Sequence, residues 1–120
     1  KRVIVTGFSM GGAGAWYFAL KYPERFSALV PVAGRPTGEN LKIPVFAIHS
    51  TADKVVPIGP AKALITALKK KGHNARIVIS TKLKHFDVSS YARHLKESVT
   101  WIRAVWKTAD KAEKAKKAKD

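Results

Sequence analysis

Short apolar runs alternate with amphipathic stretches along this chain, and their spacing sorts it into strands and helices. Arg2 to Thr6 is a short run rich in β-branched residues, closed by the glycine-rich segment Gly7-Phe8-Ser9-Met10-Gly11-Gly12. Ala13 to Lys21 carries Trp16, Tyr17, Phe18 and Leu20 and stops before Pro23, which predicts a mostly buried helix. Ser27 to Ala33 is the second apolar run, although Pro31 within it has no N–H to give to a ladder. Val45 to His49 is the third, followed by a polar turn from Ser50 to Pro57. Ala61, Leu64, Ile65 and Leu68 fall at i, i+3, i+4, i+7 opposite a lysine-rich face, predicting a helix from Ala61 to Lys71 that Gly72 closes. Ala75 to Ser80 reads as a fourth strand. Tyr91, Leu95, Val99, Ile102 and Trp106 repeat at helical spacing, so a long amphipathic helix is expected from about Ser90 to Lys107.

Continuous apolar strands alternating with helices predict an α/β fold, a parallel sheet of about four strands covered on both faces. The segment from Gly34 to Pro44 is short for a parallel crossover. Residues 1–106 hold all the predicted strands and helices. Residues 107–120, made of Lys, Ala, Asp and Glu with one Thr, form a basic Lys/Ala-rich tail with no apolar stripe.

Composition narrows the picture. The 120 residues include no cysteine, which excludes a disulfide scaffold, a cysteine metal site and thiol chemistry. No apolar run approaches the roughly 18 residues a membrane-spanning helix needs. The chain opens on Lys1-Arg2-Val3-Ile4-Val5, inside an apparent strand, which leads us to expect a piece of something longer. Its 23 basic residues against 8 acidic ones give a formal charge of +15, which points either to an anionic partner or to a solvated face with a basic tail. Removing the tail leaves 17 basic against 5 acidic residues, so the tail does not account for the charge.

Gly7-Phe8-Ser9-Met10-Gly11 has the Gly-x-Ser-x-Gly pattern of a nucleophile elbow, between a strand and a helix as that motif requires. A serine on such a turn is lifted out of the sheet, and side chains at the flanking Gly7 and Gly11 are expected to collide with the neighbouring strand or helix. The Met10 N–H, at a helix N-terminus, is placed to donate to a developing oxyanion. A serine hydroxyl needs a base and an orienting carboxylate, and site residues in parallel sheets lie just past the carboxyl ends of strands. Asp53 and His85 satisfy that condition on the edge that carries Ser9. His73 precedes its strand, His94 and Glu97 lie in the last helix and His49 is within a strand. Glu24 and Glu39 are misplaced, and Asp110, Glu113 and Asp120 are in the tail. Asp87 is the one rival acid; two residues from His85, it is too close in the chain to reach the imidazole easily from behind and could instead cap the last helix.

Bland readings exist for each residue: Ser9 in a phosphate-cradling turn, His85 on a surface loop, Asp53 in an Asx-turn. The glycine spacing Gly-x-x-x-Gly-Gly-x-Gly is not that of a dinucleotide loop, and no Gly-Lys-Ser/Thr follows, so no nucleotide is expected. No other cofactor and no metal is expected either. Nor is nucleic acid an expected partner, because no recognised motif or aromatic platform accompanies the lysines.

Val5-Thr6-Gly7-Phe8-Ser9-Met10-Gly11-Gly12-Ala13-Gly14-Ala15-Trp16, Tyr22-Pro23-Glu24-Arg25-Phe26 and His49-Ser50-Thr51-Ala52-Asp53-Lys54-Val55-Val56-Pro57 together resemble the α/β-hydrolase superfamily. Within it the sequence is most similar to the dienelactone-hydrolase-like, feruloyl-esterase-like and predicted-peptidase groups of carboxylesterases, over about residues 2–106. The resemblance implies Ser9 as nucleophile, Asp53 as acid and His85 as base of a serine esterase, acting on a small-molecule or polysaccharide-linked ester. The groups it resembles commonly have glycine where Lys84 precedes His85. Their fold has about eight strands and takes its second oxyanion donor from a loop after an earlier strand, so the resemblance implies that residues 1–106 are a partial α/β-hydrolase catalytic domain, the C-terminal half only. An N-terminal half of the same fold is therefore an expected partner, and this half alone is expected to turn over poorly. Two other functions stay open: a peptidase of the prolyl-oligopeptidase type, and a non-catalytic basic domain that binds an anionic polymer.

Overall fold

The computed structural model describes residues 2–119; Lys1, where the expected mid-strand opening begins, and Asp120 of the tail lie outside them. Strands β1 (Ile4–Phe8), β2 (Ala28–Val32), β3 (Val45–Ser50) and β4 (Ala75–Ser80) form one parallel sheet in chain order. Helices α1 (Met10–Lys21), α2 (Gly59–Lys70) and α3 (Val88–Lys119) follow β1, β3 and β4, and a short 3-10 turn occupies Pro23–Arg25. This is the α/β architecture the periodicity predicts.

Alternation along each strand sends side chains to two cores. Leu29, Val45, Ala47 and Ala75 face α1 and α2, where Trp16, Ala19, Ile65 and Leu68 pack on them. Val30, Val32, Phe46 and Ile48 face α3 and meet Tyr91, Trp101 and Val105. The link between β2 and β3 runs through residues 33–44 without a helix, yet the strands are parallel. Leu41 and Ile43 from that link are buried in the first core, so the loop supplies the cover that a crossover helix would give.

Pro31 sits inside the interior strand β2, opposite Gly7 of β1. The amides of Leu29 and Ala33 donate to the carbonyls of Pro44 and Ile48, at 2.9 and 2.8 Å. Pro31 falls between them and has no N–H, so the strand forgoes one bond to β3 and keeps its register.

Several boundaries differ from the sequence reading. β1 runs on through Gly7 and Phe8, which pair with Pro31 and Val32, because the ladder outweighs the turn preference of glycine. For α1, the start moves up to Met10, three residues before Ala13, despite three glycines in its first half. α3 continues to Lys119, well past Lys107, carried by Ala, Lys and Glu propensity and supported by the exposed Arg2–Asp110 pair at 2.8 Å. Its buried face is also rotated: Leu95 and Val99 are partly exposed, whereas Tyr91, Ser98, Trp101 and Val105 are buried. Both stripes have helical period and share Tyr91, and the buried one packs the Trp101 indole on Phe46 at 5.5 Å.

Candidate active site

Parallel strands deliver their C-terminal ends to one edge, and three loops there converge. Ser9 follows β1 directly, Asp53 lies three residues after β3 and His85 five residues after β4. Ser9 Oγ is 2.6 Å from His85 Nε2, and His85 Nδ1 is 2.7 Å from Asp53 Oδ2. The other carboxylate oxygen, Oδ1, accepts from the Val55 and Val56 amides at 2.9 and 2.8 Å.

Asp53 is buried. Burial by itself would push its carboxyl up, but the hydrogen bond from His85, the Val56 and Val55 amides and the imidazole charge outweigh it and hold Asp53 below its ordinary value. Asp53 is therefore ionised at neutral pH and can only accept. The neutral His85 ring must then carry its proton on Nδ1, which leaves Nε2 as a lone pair facing the Ser9 hydroxyl.

The His85 ring is held between two aromatics, stacked on Phe8 at 5.3 Å and edge-on to Phe86 at 5.0 Å. Asp87 does not cap α3 through its side chain: Oδ2 accepts from the Lys84 amide at 2.8 Å and closes the loop that carries His85.

Ser9 has φ 58° and ψ −114°, a backbone conformation that L-residues rarely adopt and that costs on the order of 1–3 kcal/mol. It is held there by its N–H to the Val32 carbonyl at 2.8 Å and by its own carbonyl, which accepts from Ala13 at 3.0 Å. Met10 opens α1, so its N–H is one of the first-turn amides without an intrahelical acceptor, and its side chain is 87% exposed beside Ser9.

Of the two flanking glycines, only Gly7 is sterically required. A Cβ there would run into the Gly11 carbonyl, whereas a Cβ on Gly11 would meet nothing within 4 Å. The second tight position is Gly12, where a Cβ would lie 2.9 Å from both Gly34 Cα and the Val32 oxygen. The expectation of a collision at Gly11 is thus corrected, because the helix turns that position outward and Gly12 inward.

His73 lies at the opposite edge, with Nε2 2.7 Å from the Ile43 carbonyl, and His94 faces Glu97 on α3. His49, set aside in the sequence because it sits within a strand, is buried beside Asp53. Its Nε2 is 2.8 Å from the Val56 carbonyl and 3.7 Å from Asp53 Oδ2. The signal was its position four residues before Asp53. Among the described residues no three His, Asp or Glu side chains group as a metal site would, and no helix is long and apolar enough to cross a membrane.

The sheet order, the flanking helices and the convergent edge define an α/β-hydrolase. A thermostable esterase superposes with a TM-score of 0.69 at 24% identity, over 86% of this chain and 31% of that one. Esterase PE8 superposes with a TM-score of 0.63 at 28% identity, over 78% of this chain and 49% of that one. The sequence profile of the Dienelactone hydrolase family matches residues 1–118, and the chain belongs to that family. Protein usf of Aquifex pyrophilus is 32% identical over 90 residues, 71% of this chain and 39% of that protein, and a relative from Aquifex aeolicus (strain VF5) matches to the same extent. The chain spans 39% of the length of these curated relatives.

Proposed function

We propose that this chain carries the catalytic residues of a serine hydrolase acting on carboxylic esters, with Ser9 as nucleophile, His85 as base and Asp53 as its orienting acid. The observation that carries the reading is the continuous Ser9–His85–Asp53 hydrogen-bond chain at 2.6 and 2.7 Å, on a serine held at positive φ. In the first step His85 Nε2 takes the Ser9 hydroxyl proton as Oγ attacks the ester carbonyl, and the Met10 N–H stabilises the resulting oxyanion. The imidazolium then gives that proton to the departing alcohol. Water, deprotonated by His85, attacks the acyl-serine; the acyl–Oγ bond breaks, the acid leaves and the imidazolium returns the proton to Ser9 Oγ. Asp53 keeps the imidazole in the required tautomer and stabilises its cation.

We propose further that these residues are the C-terminal part of a larger sheet. β1 is an edge strand, and Val3 just before it and Tyr17 and Phe18 on α1 are 42–48% exposed. An added N-terminal part would pair with that edge and bring the second oxyanion donor. The substrate is a small-molecule or polysaccharide-linked ester; family membership favours ester over peptide, and matched ester and amide substrates separate the two.

In the full-length protein a fluorophosphonate should label Ser9, and Ser9→Ala should abolish turnover of a short-chain p-nitrophenyl ester. Undiminished turnover in that variant sinks the proposal.

The basic charge supports a second reading, attachment to an anionic polymer. Arg2, Arg103, Lys107, Lys111 and Lys114 line one groove, with Asp110 among them. Binding to a polyanion that weakens steeply with salt, together with no labelling of Ser9, would favour it over the hydrolase.

A further inference from the structure

Two imidazoles, not one, lie beside the Asp53 carboxylate. His85 approaches from β4, and His49 approaches from β3, the strand that leads into the Asp53 turn. His49 is 1% exposed, in a setting where an unpaired ring N–H would be costly, and its Nε2 is 2.8 Å from the Val56 carbonyl. A carbonyl can only accept, so Nε2 carries the proton. That same N–H lies 3.7 Å from Asp53 Oδ2.

We propose that His49 is a positioning residue for the Asp53 carboxylate, acting through the turn that follows β3. Val56 is bonded twice: its carbonyl accepts from His49, and its amide donates to Asp53 Oδ1 at 2.8 Å. With the Val55 amide at 2.9 Å on the same oxygen, the carboxylate is clamped in plane and Oδ2 is aimed at His85. The rotation of Asp53 is thus linked to β3 through Val56. Without the His49 donor the Val56 carbonyl loses its anchor and the two amides that orient Oδ1 are free to shift. A shift of a few tenths of an ångström at Oδ1 reaches the His85 Nδ1 bond, where the acid must sit for the imidazole to hold its tautomer. The orienting acid therefore has a second histidine of its own, built into the strand.

This inference rests on the proposed role of Asp53, and its test separates the two. In the full-length protein, His49→Phe keeps the ring volume and removes the donor, while His49→Gln keeps a donor near the Nε2 position. The expected result for His49→Phe is a fall of tenfold or more in kcat for a p-nitrophenyl ester at unchanged KM, together with loss of the downfield proton resonance of the His85 Nδ1–H bond. For His49→Gln both should be restored to within about threefold of wild type. Reduced thermal stability with normal kcat and an intact resonance would overturn the proposal, because His49 would then be only a packed core residue. If wild type neither hydrolyses esters nor labels at Ser9, the hydrolase reading fails, and the resonance alone still decides whether His49 positions Asp53. Should His49→Phe not fold, nitrogen chemical shifts of the wild-type imidazoles decide instead: the Nε2–H tautomer at His49 is required, and the Nδ1–H tautomer overturns the proposal.

Discussion

Gly12 in α1 and Gly34 just after β2 touch through their backbones: a Cβ on Gly34 would lie 2.6 Å from the Gly12 carbonyl carbon. The contact seats the first turn of α1 on the end of β2, where the Val32 carbonyl takes the Ser9 amide. The height of Ser9 above the sheet therefore depends on two residues that have no chemistry of their own.

Adding a methyl at either of these glycines forces backbone apart, so Gly12→Ala and Gly34→Ala should each cost about 1–3 kcal/mol in urea unfolding. Gly11→Ala should cost nothing and gain up to ~1 kcal/mol, because its Cβ meets open space within a helix. Equal losses at all three positions would contradict the packing described.

Strain at Ser9 predicts a difference between two inactivating variants. Both Ser9→Ala and Ser9→Gly remove the hydroxyl, but only glycine adopts φ 58° without penalty. Ser9→Gly should be more stable than Ser9→Ala by about 1 kcal/mol, by chemical denaturation at neutral pH.

Asp53 links activity to acid stability. Its carboxyl titrates lower in the fold than in the unfolded chain, where a value of about 3.9 applies, so the fold holds fewer protons in that range. The stability it contributes is complete above about pH 4 and is lost as pH falls through the lower folded value. The advantage of wild type over Asp53→Asn should therefore shrink steadily below pH 4 in urea titrations. At neutral pH the same variant should lose on the order of a thousandfold or more in kcat, as the histidine loses its tautomer.

Tyr91 behaves oppositely. Burial, reinforced by the charges of Asp53 and Asp87, pushes its phenol up to about 12, and its hydroxyl has no hydrogen-bond partner among the described residues. The fold holds this proton more tightly than the unfolded chain, so the contribution is complete below about pH 10 and is lost between pH 10 and 12. Tyr91→Phe should flatten that alkaline limb and leave neutral-pH stability equal or slightly higher, since it removes an orphaned polar group.

Much of this was written into local pattern. Short apolar runs and helical spacing specify four strands and three helices, because a buried parallel strand and an amphipathic helix each leave a periodic trace of what they pack against. The rule that site residues follow strand ends was enough to place Ser9, Asp53 and His85 on one edge without knowing any distance. Membership of the dienelactone hydrolase family agrees with that local pattern.

Tertiary structure decided the rest, because each remaining feature depends on contacts that no periodic pattern records. Which face of α3 is buried was settled by Phe46, more than fifty residues before Trp101. That Gly12 must stay bare as well as Gly7 was settled by Gly34 pressing on it, whereas the motif glycine Gly11 faces open space. The pairing of His49 with Val56 appears only when the turn after β3 folds back on its strand. Periodicity reports the surroundings of an element averaged along its length, whereas a clash or a hydrogen bond is set by single atoms that only the folded chain brings together.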